Sequence, residues 1–336
     1  MPRLAVISIV ALVAIIGFGG FRVYKTGAES GEPALQEKRE RDTFAQDREP
    51  APKAATVAFD GDRAMTYLKQ ICKLGPRMSG TDAMKRQVIL VKKHFEELGG
   101  RVELQPFTSR QLGQKQMVDM TNVIVRWFPE RTRRIIICSH YDTRPIADQE
   151  DDERKWHEPF ISANDGGSGV AFLMEMAHHM KELKTDVGVD FVLFDGEEYI
   201  FDAKRDKYFF GSEHFARRYK QERPNYTYTG AVLLDMIAGK TARFPAEQHS
   251  YNQAQPLVEE LWRIAADQKS KFFLNRLGQA VQDDHLALNS AGIPAVDLID
   301  FEYPHWHRLT DTPENCSSES MIDVARVLTV WMQKTK

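Results

Sequence analysis

The stretch VDFVLFDGEEY, Val189 to Tyr199, is a short apolar run that stops abruptly in Asp195, Glu197 and Glu198. A run of this length and character is what a strand covered on both faces of a sheet requires. GAVLLDM, Gly230 to Met236, has the same form and ends in Asp235. RRIIICS is followed at once by His140 and Asp142, and His307 lies shortly after the run IPAVDLI. Four separate strand ends therefore carry residues of the kind that bind metal. In open α/β sheets, functional sites form at the carboxyl ends of strands.

Outward from these runs, strand-like and helix-like segments alternate. GPRMSGTDAMKRQVILVKKHFEELGG holds a turn, a cap at Thr81/Asp82, apolar residues at helical spacing and a Gly99-Gly100 stop. RVELQPF and TNVIVRW read as strands. GSGVAFLMEMAHHMKEL, QPLVEELWRIAADQ and ESMIDVARVLTVWMQ read as helices. The alternation predicts a three-layer α/β sandwich with a mixed, mostly parallel central sheet.

The composition excludes several classes. With 336 residues, 42% of them hydrophobic and 28% charged, the chain has ample material for a core. A net charge of −3 and the lack of a basic stripe argue against a nucleic-acid partner. Three cysteines, Cys72, Cys138 and Cys316, are too few for a disulfide scaffold and have no zinc-finger spacing.

The N-terminus divides from the rest. Leu4 to Phe21 is uncharged and about long enough to span a bilayer core, with Arg3 before it and Arg22 and Lys25 after it. Residues 1–27 are expected to be a membrane anchor or signal segment, and an uncleaved anchor fits better because no small-x-small site follows. Residues 28–56, rich in Glu, Lys, Arg, Pro and Ala, read as a flexible tether. The catalytic domain is then 57–336, expected outside the cytoplasm. The scarcity of cysteines points to a periplasm rather than an animal secretory route.

Each polar cluster has a bland reading beside the chemical one. In SANDGGSG, Asp165 stands in a Gly-rich turn where a carboxylate can approach a metal closely, or where Asn164 or Asp165 simply caps a helix. Of the adjacent Glu197 and Glu198, one can bind metal while the other works as acid or base. His178 and His179 lie on a helix and read as structural. The acidic loop 147–159, ADQEDDERKWHEP, reads as solvated. AVQDDHLALN, Ala280 to Asn289, places Asp283 and Asp284 before His285, and local pattern alone does not tell a metal site from a polar turn.

The ordered set SHYDT, NDGGSG, LFDGEE, LLDM, DDH and WHRLTDT resembles the zinc aminopeptidase superfamily, which also contains the animal-type glutaminyl cyclases. The match covers about Tyr67 to Lys336, and GPRMSGTDA fits the same family. In the cyclases, the resemblance implies one zinc on Asp165, Glu198 and His307. Glu197 then carries a proton, and Asp235 and Asp283 complete the site. In the dizinc peptidases it implies a second metal on His140 and Asp235, with Asp165 bridging. Aminopeptidases of this family commonly have serine where Asp283 stands. Cyclases have Asp-Asp-His, preceded in the animal enzymes by a glutamine like Gln282, and a tryptophan like Trp306 before the last histidine. The resemblance therefore implies a glutaminyl-peptide cyclotransferase acting on peptides or proteins with N-terminal glutamine. The alternatives are a dizinc aminopeptidase and an inactive binding ectodomain on the same fold. YIFDAK lacks the tryptophan that vertebrate cyclases have soon after the paired glutamates, and Cys138 lacks their partner cysteine.

Overall fold

Every residue of Gly188–Phe194, strand β4, is buried, so the run read as a two-face strand is one. Its one charge, Asp190, is held by Arg134 on the next strand, by Arg126 at 3.1 Å and by the Tyr228 hydroxyl. A buried carboxylate without such partners would be prohibitively costly. The computed structural model describes residues 56–336. The expected anchor, and all of the tether except Thr56, lie outside the described residues. Among the described residues, no helix is long and apolar enough to cross a membrane.

The elements in chain order are α1 (Gly61–Cys72), α2 (Asp82–Glu97), β1 (Arg101–Ser109), β2 (Val118–Trp127), β3 (Arg133–His140), α3 (Ser168–Met176), β4, α4 (Phe210–Glu222), β5 (Thr227–Asp235), β6 (Phe244–Ala246), α5 (Gln248–Asp267), β7 (Phe273–Leu277), α6 (His285–Ser290), β8 (Ala295–Ile299) and α7 (Ser318–Lys334). Six strands form one sheet in the order β1-β2-β4-β3-β5-β8. β2 is antiparallel to β1 and β4, and the remaining neighbours run parallel. This is the mixed, mostly parallel sheet that the sequence predicts.

The period of two along the strands sorts the core into layers. Ile135, Ile137, Phe191, Val232 and Val296 face the larger layer with α1, α2, α3, α5 and α7. Ile136, Cys138, Val192 and Leu233 face the opposite layer, where Phe215 of α4 and Leu288 of α6 cover them. Parallel β3, β4, β5 and β8 end at one edge of the sheet. The polar residues that follow them gather there.

Local chemistry accounts for the helix ends. The Thr81 hydroxyl accepts the Met84 N–H at 3.3 Å, as an N-cap does. At the other end of α2, Gly99 takes φ +93°, and the Gly100 N–H donates to the Phe95 carbonyl at 2.9 Å. Two expectations need correction. The helix expected through Leu183 ends at Met176 and tightens into a 3₁₀ turn, Ala177–His179. The helix expected from Gln255 begins at Gln248, with a break at Ala254 just before Pro256. The short parallel pair β6 and β7 has no counterpart in the sequence reading.

Candidate metal centre

His140 is the last residue of β3, Glu197 and Glu198 follow β4, and Asp235 closes β5. Asp165 sits in the turn before α3, Asp283 stands two residues before α6, and His307 lies eight residues after β8. All are brought to one edge of the sheet. Two glycines permit it. Gly166 has φ +73°, and a Cβ there would lie 2.5 Å from the Asp142 carbonyl and against His140. Gly196 has φ +75°, which turns the chain so that both glutamates leave the strand end together.

Backbone hydrogen bonds fix these carboxylates. Asp142, buried at the end of β3, accepts the Glu197 N–H at 3.2 Å and the Glu198 N–H at 3.0 Å, one on each oxygen. Asp311 does the same for Asn164 and Asp165, at 2.9 and 3.1 Å. Asp165 is therefore held by its main chain, and Asn164 braces the turn through the Ala238 N–H at 2.7 Å. Neither residue serves as a simple helix cap, since α3 begins after Gly167 with no side-chain cap.

Two groups of ligand-type atoms result, Asp165–Glu198–His307 and His140–Asp165–Asp235. In the first, His307 Nε2 lies 3.3 Å from Glu198 Oε1 and 3.4 Å from Asp165 Oδ2. Ligand atoms around a tetrahedral zinc with arms of about 2.0–2.1 Å are spaced by about 3.3–3.4 Å, so the donor set fits that ion. His307 Nε2, Asp165 Oδ2 and Glu198 Oε2 are buried and make no hydrogen bond among the described residues. Buried polar atoms rarely stay unsatisfied, and a cation would satisfy these three. In the second group, His140 Nε2 contacts Asp165 Oδ1 at 3.1 Å and Asp235 Oδ1 at 3.2 Å, and the latter closes a hydrogen bond.

Burial and neighbouring charge set the protonation of the cluster. Burial raises the Glu197 carboxyl well above the usual range, and the Glu198 charge beside it adds to the effect. Burial also works against ionised Glu198, but Arg144 and His307 overcome it and hold that group low. Asp283 is raised well above the ordinary aspartate value by burial, then by Asp235 and Asp284. That is the direction expected of two nearby carboxylates sharing a proton. Burial would lower the His307 pKa, yet Glu198 and Asp148 bring it up to about 9.

The site opens into a cavity of about 350 Å³, large enough for a small substrate group. Glu197, Asp235, Asp283, Gln282 and Trp306 all line it. The Trp306 ring lies 4.1 Å from the His307 ring and 4.9 Å from Phe301, forming an aromatic wall. His285 points away from it. Its ring is buried with Nε2 3.3 Å from Glu247, outside both ligand groups. The DDH stretch is thus one site-lining acid followed by buried polar residues. His178 bonds the Tyr67 hydroxyl at 2.7 Å and His179 contacts Glu175 at 3.0 Å, on α3 and its 3₁₀ extension away from the cavity.

One correction concerns the acidic loop. Residues 153–155 and 157–159 are exposed, as a solvated loop would be. Asp148 is not. It lines the cavity, and its Oδ1 lies 3.0 Å from His307 Nδ1. Arg144, fully buried, reaches both Asp148 and Glu198. No local pattern marks these two residues, since their partners lie far along the chain.

The model of Peptidase family M28 matches residues 122–332. A solved glutaminyl cyclase from Fimbriiglobus ruber is 53% identical, with a TM-score of 0.83, covering 86% of this chain and all of that one. A solved leucine aminopeptidase precursor from Bacteroides thetaiotaomicron is 28% identical, with a TM-score of 0.77, over 84% of this chain and 99% of that one. A glutaminyl-peptide cyclotransferase-like protein of Mus musculus is 25% identical over 80% of this chain and 73% of its own. Several glutaminyl-peptide cyclotransferases of snakes are matched over only 64% of their length.

Proposed function

This chain belongs to peptidase family M28, and from that premise we propose that it is a zinc-dependent glutaminyl-peptide cyclotransferase. It converts the N-terminal glutamine of a peptide to pyroglutamate and releases ammonia. The observation that carries this reading is Asp283, a carboxylate in the cavity beside Asp165, Glu198 and His307. The related aminopeptidases commonly have a serine at that place.

Asp165, Glu198 and His307 would hold the ion. Zinc there supplies Lewis acidity toward the γ-carbonyl of the substrate. Everything else falls to side chains of this protein. The substrate's α-amine attacks the γ-carbon, the new C–N bond closes the ring, and the bond to the amide nitrogen breaks. Glu197 accepts the proton leaving the α-amine and returns it to the departing nitrogen, so no net proton is consumed. Its buried position beside Glu198 suits this, because burial and the neighbouring charge raise its carboxyl above the ordinary glutamate value and make it a better proton acceptor. Asp283 and Asp235 face the same cavity and orient the amine. Trp306 and Phe301 wall the space for a neutral side chain and keep bulk water from competing. Gln282, exposed at the rim, contacts the peptide beyond the first residue.

One ion is favoured over two by the different states of the two groups. Asp165 Oδ2, Glu198 Oε2 and His307 Nε2 have no hydrogen bond among the described residues, whereas His140 Nε2 and Asp235 Oδ1 bond each other. The aminopeptidase reading keeps one supporting observation, the complete His140–Asp165–Asp235 set. The apolar run Leu4–Phe21 supports attachment of the domain to a membrane on its non-cytoplasmic side.

The deciding assay offers a peptide beginning with glutamine and, separately, a leucine anilide. Release of ammonia, with every peptide bond intact by mass spectrometry and the anilide left whole, is the expected result. Free leucine with no cyclised peptide would reverse the reading to aminopeptidase.

A further inference from the structure

His307 has a left-handed backbone, φ +52°, which is unfavourable for a residue with a Cβ. Such strain persists only where surrounding contacts over-determine it. Part of that constraint is local, since the Arg308 N–H closes a turn on the His305 carbonyl at 3.0 Å, and more of it comes from one loop. The Gln149 N–H donates to the His307 carbonyl at 3.2 Å, and the Glu150 carboxylate accepts the Leu309 N–H at 2.8 Å. Asp151 pairs with Arg308 at 3.3 Å. The loop is itself tied at its base by Ala147 N–H to the Trp156 carbonyl at 2.9 Å.

The side chains continue the pattern. Asp148 Oδ1 lies 3.0 Å from His307 Nδ1, and its Oδ2 accepts from Arg144 Nη2 at 2.7 Å. Arg144 Nη1 then donates to Glu198 Oε1 at 3.1 Å, and the Tyr208 hydroxyl accepts from Nη2 at 3.2 Å. Two of the three residues facing the metal position are thus joined behind it through a single Asp–Arg pair.

We propose that Arg144 and Asp148 are positioning residues for the metal centre, and that the loop 144–151 exists to hold His307 and Glu198 in their ligand geometry. With Oδ1 3.0 Å from Nδ1, Asp148 would accept the proton of His307 there and so fix the tautomer with Nε2 free to bind. Arg144 pins the Glu198 carboxylate through Oε1 and so fixes how it faces the ion. Its fixed positive charge also offsets the repulsion between Glu198 and Asp165. This rests on the metal reading above.

The test titrates metal-free full chain with zinc against a chromophoric chelator. Asp148→Ala and Arg144→Met are expected to lose about 10–100-fold in zinc affinity, the usual effect of removing an outer-shell partner. Asp148→Asn keeps an acceptor for Nδ1 and should lose less than Asp148→Ala. A residue that only supports the fold would lower the melting temperature of the metal-free protein and leave zinc affinity unchanged. In zinc-loaded wild type, ¹⁵N NMR should show the His307 Nδ1 carrying a slowly exchanging proton, a readout that needs no variant to fold. Folded variants binding zinc within about twofold of wild type, or an unprotonated Nδ1, would overturn the proposal alone. Wild type that binds no zinc would remove the metal reading, and this proposal with it.

Discussion

His140 and His307 stand on opposite sides of one carboxylate, with His140 Nε2 3.1 Å from Asp165 Oδ1 and His307 Nε2 3.4 Å from Asp165 Oδ2. This arrangement allows two metals, yet His140 Nε2 and Asp235 Oδ1 already bond each other, whereas His307 Nε2 and Asp165 Oδ2 have no hydrogen bond among the described residues. The purified protein is therefore expected to hold about one zinc per chain. His307→Ala should lose it, and His140→Ala should keep it. Metal analysis giving two zincs, one of them lost with His140, would shift the assignment to the peptidase arrangement.

Glu197 and Glu198 are neighbours in sequence with opposite electrostatics. Asp142 fixes both N–H groups, so the two side chains cannot exchange places without breaking that pair of hydrogen bonds. Glu197→Gln is expected to retain zinc while turnover falls by on the order of 10²-fold or more. Glu198→Gln should instead weaken zinc binding. Identical metal content in the two variants would mean that the division of labour is wrong.

How far the site could be read in advance follows from how local each signal is. Glu197, Asp235 and His140 were legible because each follows a strand whose buried character is written in five to seven consecutive residues. Asp283 was legible through the resemblance, since QDD before a helix has no pattern of its own. Arg144 and Asp148 were not legible, and a loop rich in Asp and Glu looks solvated until its fold is known. Their partners, Glu198 and His307, lie 54 residues away from Arg144 and far beyond the loop respectively. The β6–β7 pair escaped for a related reason, because three residues are too few to show a period.

Asp195 supplies a pH test free of the reaction. Burial, aided by the Asp142 charge, pushes its carboxyl up to about 8, although Ser79 and the Thr121 N–H bond it at 2.6 and 2.7 Å. Below about pH 4 it is protonated in both folded and unfolded chains, and its contribution is fully present. As pH rises, the unfolded chain ionises first, and the folded state loses relative stability until it too ionises near pH 8. Asp195→Asn should remove this slope. Denaturant unfolding of metal-free protein at pH 5 and pH 9 should show the variant gaining on wild type by a few kcal/mol, to order of magnitude. Parallel pH profiles would place Asp195 outside this account.

The domain boundary can be tested at Phe59. Its ring stacks on Phe172 at 5.2 Å, and Asp60 caps α1 by accepting the Arg63 N–H at 2.9 Å. A chain beginning at Val57 is expected to fold and act like the full one. Beginning at Gly61 should cost on the order of 1–3 kcal/mol, from the lost ring burial and cap. Thermal melts of the two truncations decide it, and instability of the longer one would assign residues 1–56 to the folded unit.

Asp283 carries the choice between the two chemistries. It is buried, lines the cavity and belongs to neither ligand group. Its carboxyl can receive the substrate's amine, and no zinc contact is needed for that. Asp283→Asn keeps the shape, and also removes the like-charge conflict with Asp235 and Asp284. The variant should therefore hold zinc as wild type does and melt no lower. Ammonia release from a glutamine peptide should nonetheless fall by on the order of 10²-fold, because the group that orients and accepts from the amine has gone. Asp283→Ser, the residue common in the aminopeptidases, should fail in the same way. Full cyclisation by either variant would show that the amine is oriented elsewhere, and Asp283 would then cease to distinguish a cyclase from a peptidase on this fold.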